Sequence, residues 1–156
     1  MQIPHFDETG NAKLFDVSNK DITVREAVAT GKIYMNPKTL SYISNVTLPK
    51  GDAISTARIA GIAAAKKTSA IIPLCHQVPL DAITIDFTIS QGSIDITSTV
   101  RCTWKTGVEM EALTATTVAA LTIYDMCRSI DKEMVIGEIM LIKKIGGKSD
   151  YTRISL

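Results

Sequence analysis

The chain is short of the residues that usually signal metal, disulfide or membrane chemistry. It has 3 cysteines and 2 histidines in 156 residues. Cys75, Cys102 and Cys127 are an odd count without CxxC spacing, which suggests neither a disulfide framework nor a zinc ribbon. They read as buried small hydrophobes. His5 lies in an N-terminal tail and His76 stands alone, and adjacent Cys75 and His76 lack ligand spacing, so no metal and no cofactor is expected. The same pair fails as nucleophile and base, because adjacent side chains leave the backbone in divergent directions. No stretch approaches the roughly 18 apolar residues of a membrane span, and the N-terminus has no apolar signal core. No membrane partner is expected, and the expected location is cytoplasmic. Charge of one sign is lacking too: 17 basic and 16 acidic side chains leave a net charge of +1. That argues against the broad positive field of a nucleic-acid binder, so any phosphate site must be a local cluster of cations.

What is present is one domain's worth of chain, with residues 1–22 polar and loose at the front. "TVREAVATGKIYM" (23–35) is ambiguous in period, but its β-branched residues tilt it toward extended structure. Asn36 as N-cap and Pro37 at the first helical position predict a short helix over 36–47. "DAISTARIAGIAAAKKTSAII" (52–72) reads as one long helix stopped by Pro73. Its small face of Ala53, Ala57, Ala60, Gly61 and Ala64 permits close approach to a sheet or another helix. Residues 80–90 alternate at a period of two, Gln91-Gly92 is a turn, and 93–104 alternate again, which predicts a hairpin. A second long helix over 107–130 and a strand over 134–147 follow. Strand, helix, strand, strand, helix, strand is the order of an α+β, ferredoxin-like βαββαβ sandwich, an antiparallel sheet with helices on one face. Thr84, Asp86, Thr97 and Thr99 fall on the uncovered face, which must meet water or another subunit.

The chemical candidates sit at the ends of these elements. "IIPLCHQVPL" (71–80) is an apolar run that ends its first half in Cys75 and His76, in the kind of loop that carries function on a rigid scaffold. "IGGKS" (145–149) is not a Walker loop, since Ile142 stands where the first glycine is needed and only seven residues follow. Two glycines and Lys148 can still wrap an anion; a plain C-terminal tail is an equal alternative. Lys50, Lys66, Lys67, Lys143 and Lys144 are further cations that can contribute to such a pocket. Glu109 and Glu111 suit a helix N-terminus, whereas Asp125 opposes the dipole at the other end, with Arg128 as its expected partner. Glu111 and Asp125 are 14 residues apart, roughly 21 Å along a straight helix. They cannot grip one small group within one chain. Either they serve different sites or a neighbouring subunit completes one.

Taken together, "DVSNKDITVREAVATGKIYM", "KGDAISTARIAGIAAAKKTSAIIPLCH", "KTGVEMEALTATTVAALTIYDMC" and "GGKS" resemble the cyclic pyranopterin monophosphate synthase family (MoaC), from Phe15 to about Ser149. The resemblance implies a ferredoxin-like homohexamer, a trimer of dimers, with sites at subunit interfaces. It implies a lyase that converts (8S)-3′,8-cyclo-7,8-dihydroguanosine 5′-triphosphate to cyclic pyranopterin monophosphate and pyrophosphate. On the family's pattern Leu74, Cys75, His76, Met110 and Glu111 fall on substrate-binding segments and Asp125 on the catalytic aspartate. Lys50, Lys66, Glu109 and Lys148 fall on further pocket positions, and Asp16 and Lys20 on a segment that folds over the site. Asp125, Lys50 and Arg128 are the catalytic candidates. One position departs: Arg128 stands where the family has lysine. A guanidinium does not give up its proton at neutral pH, so the alternative is an impaired or non-catalytic nucleotide-binding oligomer. A weaker third reading is a regulatory module that binds a metabolite on its sheet face.

Overall fold

The computed structural model describes residues 6–154, and His5 lies outside them. The sheet is built from β1 (Thr23–Tyr34), β2 (Ala82–Ser90), β3 (Ser93–Trp104), β4 (Val135–Ile145) and a short β5 (Tyr151–Thr152). Its order is β2-β3-β1-β4-β5, and every neighbouring pair is antiparallel. β3 therefore lies between the parallel strands β1 and β2, which is the split βαβ arrangement. The alternation expected for residues 80–90 is seen in Ile85, which is buried between exposed Thr84 and Asp86. Gly92, at φ 84°, turns β2 into β3 without the steric cost a side chain would carry.

Helices α1 (Pro37–Ser44), α2 (Ala53–Ala65), α3 (Thr68–Ile71) and α4 (Glu109–Cys127) complete the fold. Asn36 stands at the N-cap of α1, but its side chain makes no cap hydrogen bond. Buried Asp131 takes that role from beyond α4, accepting from Asn36 N and Thr39 Oγ1 at 2.9 Å each. Burial pushes the Asp131 carboxyl up, yet these bonds outweigh it and hold the group below the usual carboxylate range.

The long helix expected over 52–72 is two helices. Asp52 caps α2 by accepting from Ser55 N at 3.0 Å. After Lys66 and Lys67, both exposed, buried Thr68 donates back to the Ala65 carbonyl at 3.0 Å, and α3 starts there. The small face is used as expected at Gly61. A Cβ there would strike the Ile85 side chain and come within 2.9 Å of the Ala115 carbonyl, so α2 lies against both α4 and β2. Ala60 is only half-buried, and Ala65 joins the buried face.

Two adjoining cores result. The larger gathers Ile33, Ile85, Ile94, Ile96 and Ile123. Fully burying one such side chain is worth roughly 1.5–3 kcal/mol. The smaller one, with Ala27, Ala29, Val100, Cys102, Val108 and Ala112, braces the first turn of α4.

Candidate functional site

A cavity of about 570 Å³ opens at the start of α4. Pro73 sets the course of one wall. It forces Ile72 into extended backbone (φ −102°, ψ 108°), ends α3, and sends Leu74, Cys75 and His76 along the cavity. Glu109, Met110 and Glu111 form the facing wall, and Phe15, Val17 and Lys20 come from the N-terminal segment. Cys102 and Cys127 are core residues, with thiols pushed up to about 11 by burial. Cys75 is different: it is half-buried and lines the cavity.

Glu111 is 5% exposed, and its carboxyl is pushed up to about 7. Removal from water is the main cause; its own backbone N–H opposes the shift and the Glu109 charge adds to it. A carboxyl poised near neutrality, facing a cavity, is suited to giving and taking protons. Glu109 folds back against Gly107, where any Cβ would overlap its carboxylate, and pairs with Lys144 at 3.5 Å.

A second cavity of about 550 Å³ adjoins the first and shares Lys20, Thr106, Gly107, Glu109 and Lys148 with it. Its walls carry Arg25 and Lys144 beside the shared lysines, together with Gly146 and Gly147. Four cations around one hollow make the local positive pocket that a near-neutral chain otherwise lacks. The loop that carries "GGKS" is not a loose tail, because β4 turns there and returns as β5, pairing Lys144 with Tyr151. Gly146 fixes it: φ is 88°, and a Cβ would collide with the Val24 carbonyl. Thr23 Oγ1 donates to the Gly146 carbonyl at 2.6 Å, and Gly146 N donates to Asp150 at 3.1 Å. Arg25 is held by the Trp104 and Lys105 carbonyls, both at 3.2 Å.

The third group lies at the far end of α4. Lys50 Nζ donates to Asp125 Oδ2 at 2.8 Å and to the Asp125 carbonyl at 2.9 Å, and Arg128 Nε donates to Oδ1 at 3.0 Å. Asp125 thus has two cationic partners, of which Arg128 alone was expected. The Lys50 hydrogen bond, with Arg128 in support, holds its carboxyl below the usual range. All three side chains stand in solvent, Asp125 at 56% exposure.

Of the residues singled out from the sequence, Leu74, Cys75, His76, Glu109, Met110, Glu111 and Lys148 meet at the first cavity, with Lys20. Lys50, Asp125 and Arg128 meet elsewhere, and Lys66 joins neither group. Asp16 is exposed and lines neither cavity. Sequence reasoning missed Arg25. It also left Lys143 and Lys144 undivided, although strand alternation separates them: Lys144 reaches Glu109, while Lys143 pairs with Glu26 on the other face. Among the described residues, no group of three or more His, Cys, Asp or Glu is placed to hold a metal ion. None of the helices there is long and apolar enough to cross a membrane.

The fold and site thus define a ferredoxin-like α+β protein with two adjoining cavities at one end of its central helix, one carrying a buried acid and one carrying four cations. The sequence model of the MoaC family matches residues 14–147, and the chain belongs to that family. A relative from Thermoanaerobacter sp. (strain X514), named cyclic pyranopterin monophosphate synthase, is 54% identical over 96% of each chain. Relatives of the same name from Peptoclostridium acidaminophilum and Roseiflexus sp. (strain RS-1) are 50% identical over 100% and 52% identical over 94% of each chain.

Proposed function

We propose that the chain is a cyclic pyranopterin monophosphate synthase of molybdenum cofactor biosynthesis, acting in the cytoplasm. It takes (8S)-3′,8-cyclo-7,8-dihydroguanosine 5′-triphosphate and releases pyrophosphate. The observation that carries the reading is the junction of two cavities in a member of this family, one walled by a buried acid and one by four cations. The purine-derived head suits the first and the phosphates suit the second. Lys20 and Lys148, shared by both, sit where head and phosphates join.

In this reading Glu111 exchanges protons with the rearranging rings, and His76 binds beside it. Lys144, Lys148 and Arg25 neutralise the departing pyrophosphate. Asp125, with Lys50 and Arg128 paired to it, stands about 21 Å along α4 from Glu111, by helix geometry. They complete the site of a neighbouring subunit in a homohexamer, a trimer of dimers. Arg128 keeps its charge at neutral pH and orients Asp125, so any proton transfer at this cluster falls to Lys50.

Incubation with the cyclised nucleotide tests the reading. Stoichiometric pyrophosphate and the cyclic monophosphate are expected; a protein that binds the nucleotide and leaves it intact contradicts it.

A further inference from the structure

Residues 13–22 run without regular structure between the bridge at Ala12 and the start of β1, and they wall both cavities. Phe15, Val17 and Lys20 face the first; Asn19, Lys20 and Asp21 face the second. Side chains of the body grip the backbone of this strap at two of its carbonyls. The Phe15 carbonyl lies 2.6 Å from His76 Nε2, and the Ser18 carbonyl accepts from Lys105 Nζ at 2.7 Å. A carbonyl only accepts, so His76 Nε2 carries a hydrogen here. Both ties grip main-chain oxygens and so hold the path of the strap, whatever side chains it carries.

The two donors differ in kind. His76 lines the first cavity, so its contact with Phe15 belongs to the site itself. Lys105 lines neither cavity, yet its place is fixed from within the second: Arg25, a wall residue there, donates to the Lys105 carbonyl at 3.2 Å. The strap is shaped to meet it. Asp16 Oδ1 accepts from Ser18 N at 2.8 Å, a turn that leaves the Ser18 carbonyl and the Asp16 carboxylate both near the ammonium. Ser18 is the main cause of the lowered Asp16 carboxyl, and Lys105 adds to it.

The family resemblance already places residues 15–20 over the site as a lid; we infer that Lys105 is a positioning residue that holds this lid shut through the Ser18 carbonyl, setting how firmly the nucleotide is retained without touching it. Entry and release then require this tie to break.

The test compares Lys105→Met and Lys105→Arg in the full chain, and its kinetic arm rests on the synthase reading. Lys105→Met is expected to raise KM for the cyclised nucleotide about tenfold with kcat within about twofold, and Arg to restore most of the loss. Chymotryptic cleavage after Phe15 reads the lid without turnover: it is expected to quicken about tenfold in Lys105→Met. Asp16→Ala, which loosens the turn presenting Ser18, must quicken the same cleavage. Unchanged cleavage in both variants, or a fall in kcat at constant KM in Lys105→Met, overturns the proposal. If the unaltered protein turns nothing over, the synthase reading fails, while cleavage still decides the lid.

Discussion

The two ends of α4 hold carboxylates in opposite electrical states. Glu111, in the first turn, is buried, has no ion-pair partner among the described residues, and keeps its proton toward neutrality. Asp125, in the last turn, stands in water between Lys50 and Arg128 and stays ionised well into acid. One helix thus carries a proton reservoir and a fixed negative charge. Their difference comes from surroundings rather than residue type: desolvation governs one, ion pairing the other.

The contrast breaks most directly at Glu111. Glu111→Gln keeps the volume but removes the exchangeable proton, and turnover is expected to fall ~10²- to 10⁴-fold. The same variant has a stability signature. The folded carboxyl titrates near 7 and the unfolded one near 4.5. Between those values the folded state binds the extra proton, so stability falls as pH rises through 7. The loss is on the order of 3 kcal/mol. Urea unfolding at pH 5 and pH 8 should show it in the natural protein and not in the glutamine variant. For Asp125 the sign reverses: its pairing stabilises above the unfolded carboxylate value of 3.8 and is lost as pH falls below it.

Gly146→Ala attacks the scaffold of the Glu111 end. A Cβ at φ 88° against the Val24 carbonyl forces the anion loop to move, at a cost of about 1–3 kcal/mol. Thermal melting should show the cost, and KM for the nucleotide should rise while the Asp125 end is untouched. Arg128→Lys probes the opposite end. If Arg128 only orients Asp125, turnover changes by less than about tenfold; a gain of several orders of magnitude means that arginine impairs the enzyme. The smallest effect belongs to Ser98→Ala. Ser98 Oγ is buried on the core-facing side of β3 with no partner among the described residues. Removing it should leave both ends alone and be neutral or stabilising by up to about 1 kcal/mol in denaturant unfolding.

The order of elements and the sheet were legible because Ile83, Ile85 and Phe87, and then Ile94, Ile96 and Val100, share the phase of a period of two, interrupted only by Ser98. The break at Lys66-Lys67 was not, because Ala-rich sequence favours helix on both sides and the deciding bond, Thr68 to Ala65, depends on which way Thr68 is buried. β5 was hidden by its length of two residues. At the site, the loop after Pro73 and the acidic first turn of α4 were visible as element ends. Arg25 and Lys105 were not, since one sits mid-strand and the other in a turn, and only tertiary packing brings them beside Lys148 and Ser18. The separation of Glu111 from Asp125 needed nothing beyond helix rise.

That separation sets the decisive measurement. Glu111→Gln and Asp125→Asn proteins, each inactive alone, are unfolded together, refolded as a mixture and assayed for pyrophosphate release. If one subunit lends its Glu111 end and another its Asp125 end, random assembly regenerates intact sites, and activity returns to about a quarter of the natural level. A mixture no more active than its two parents would contradict the account.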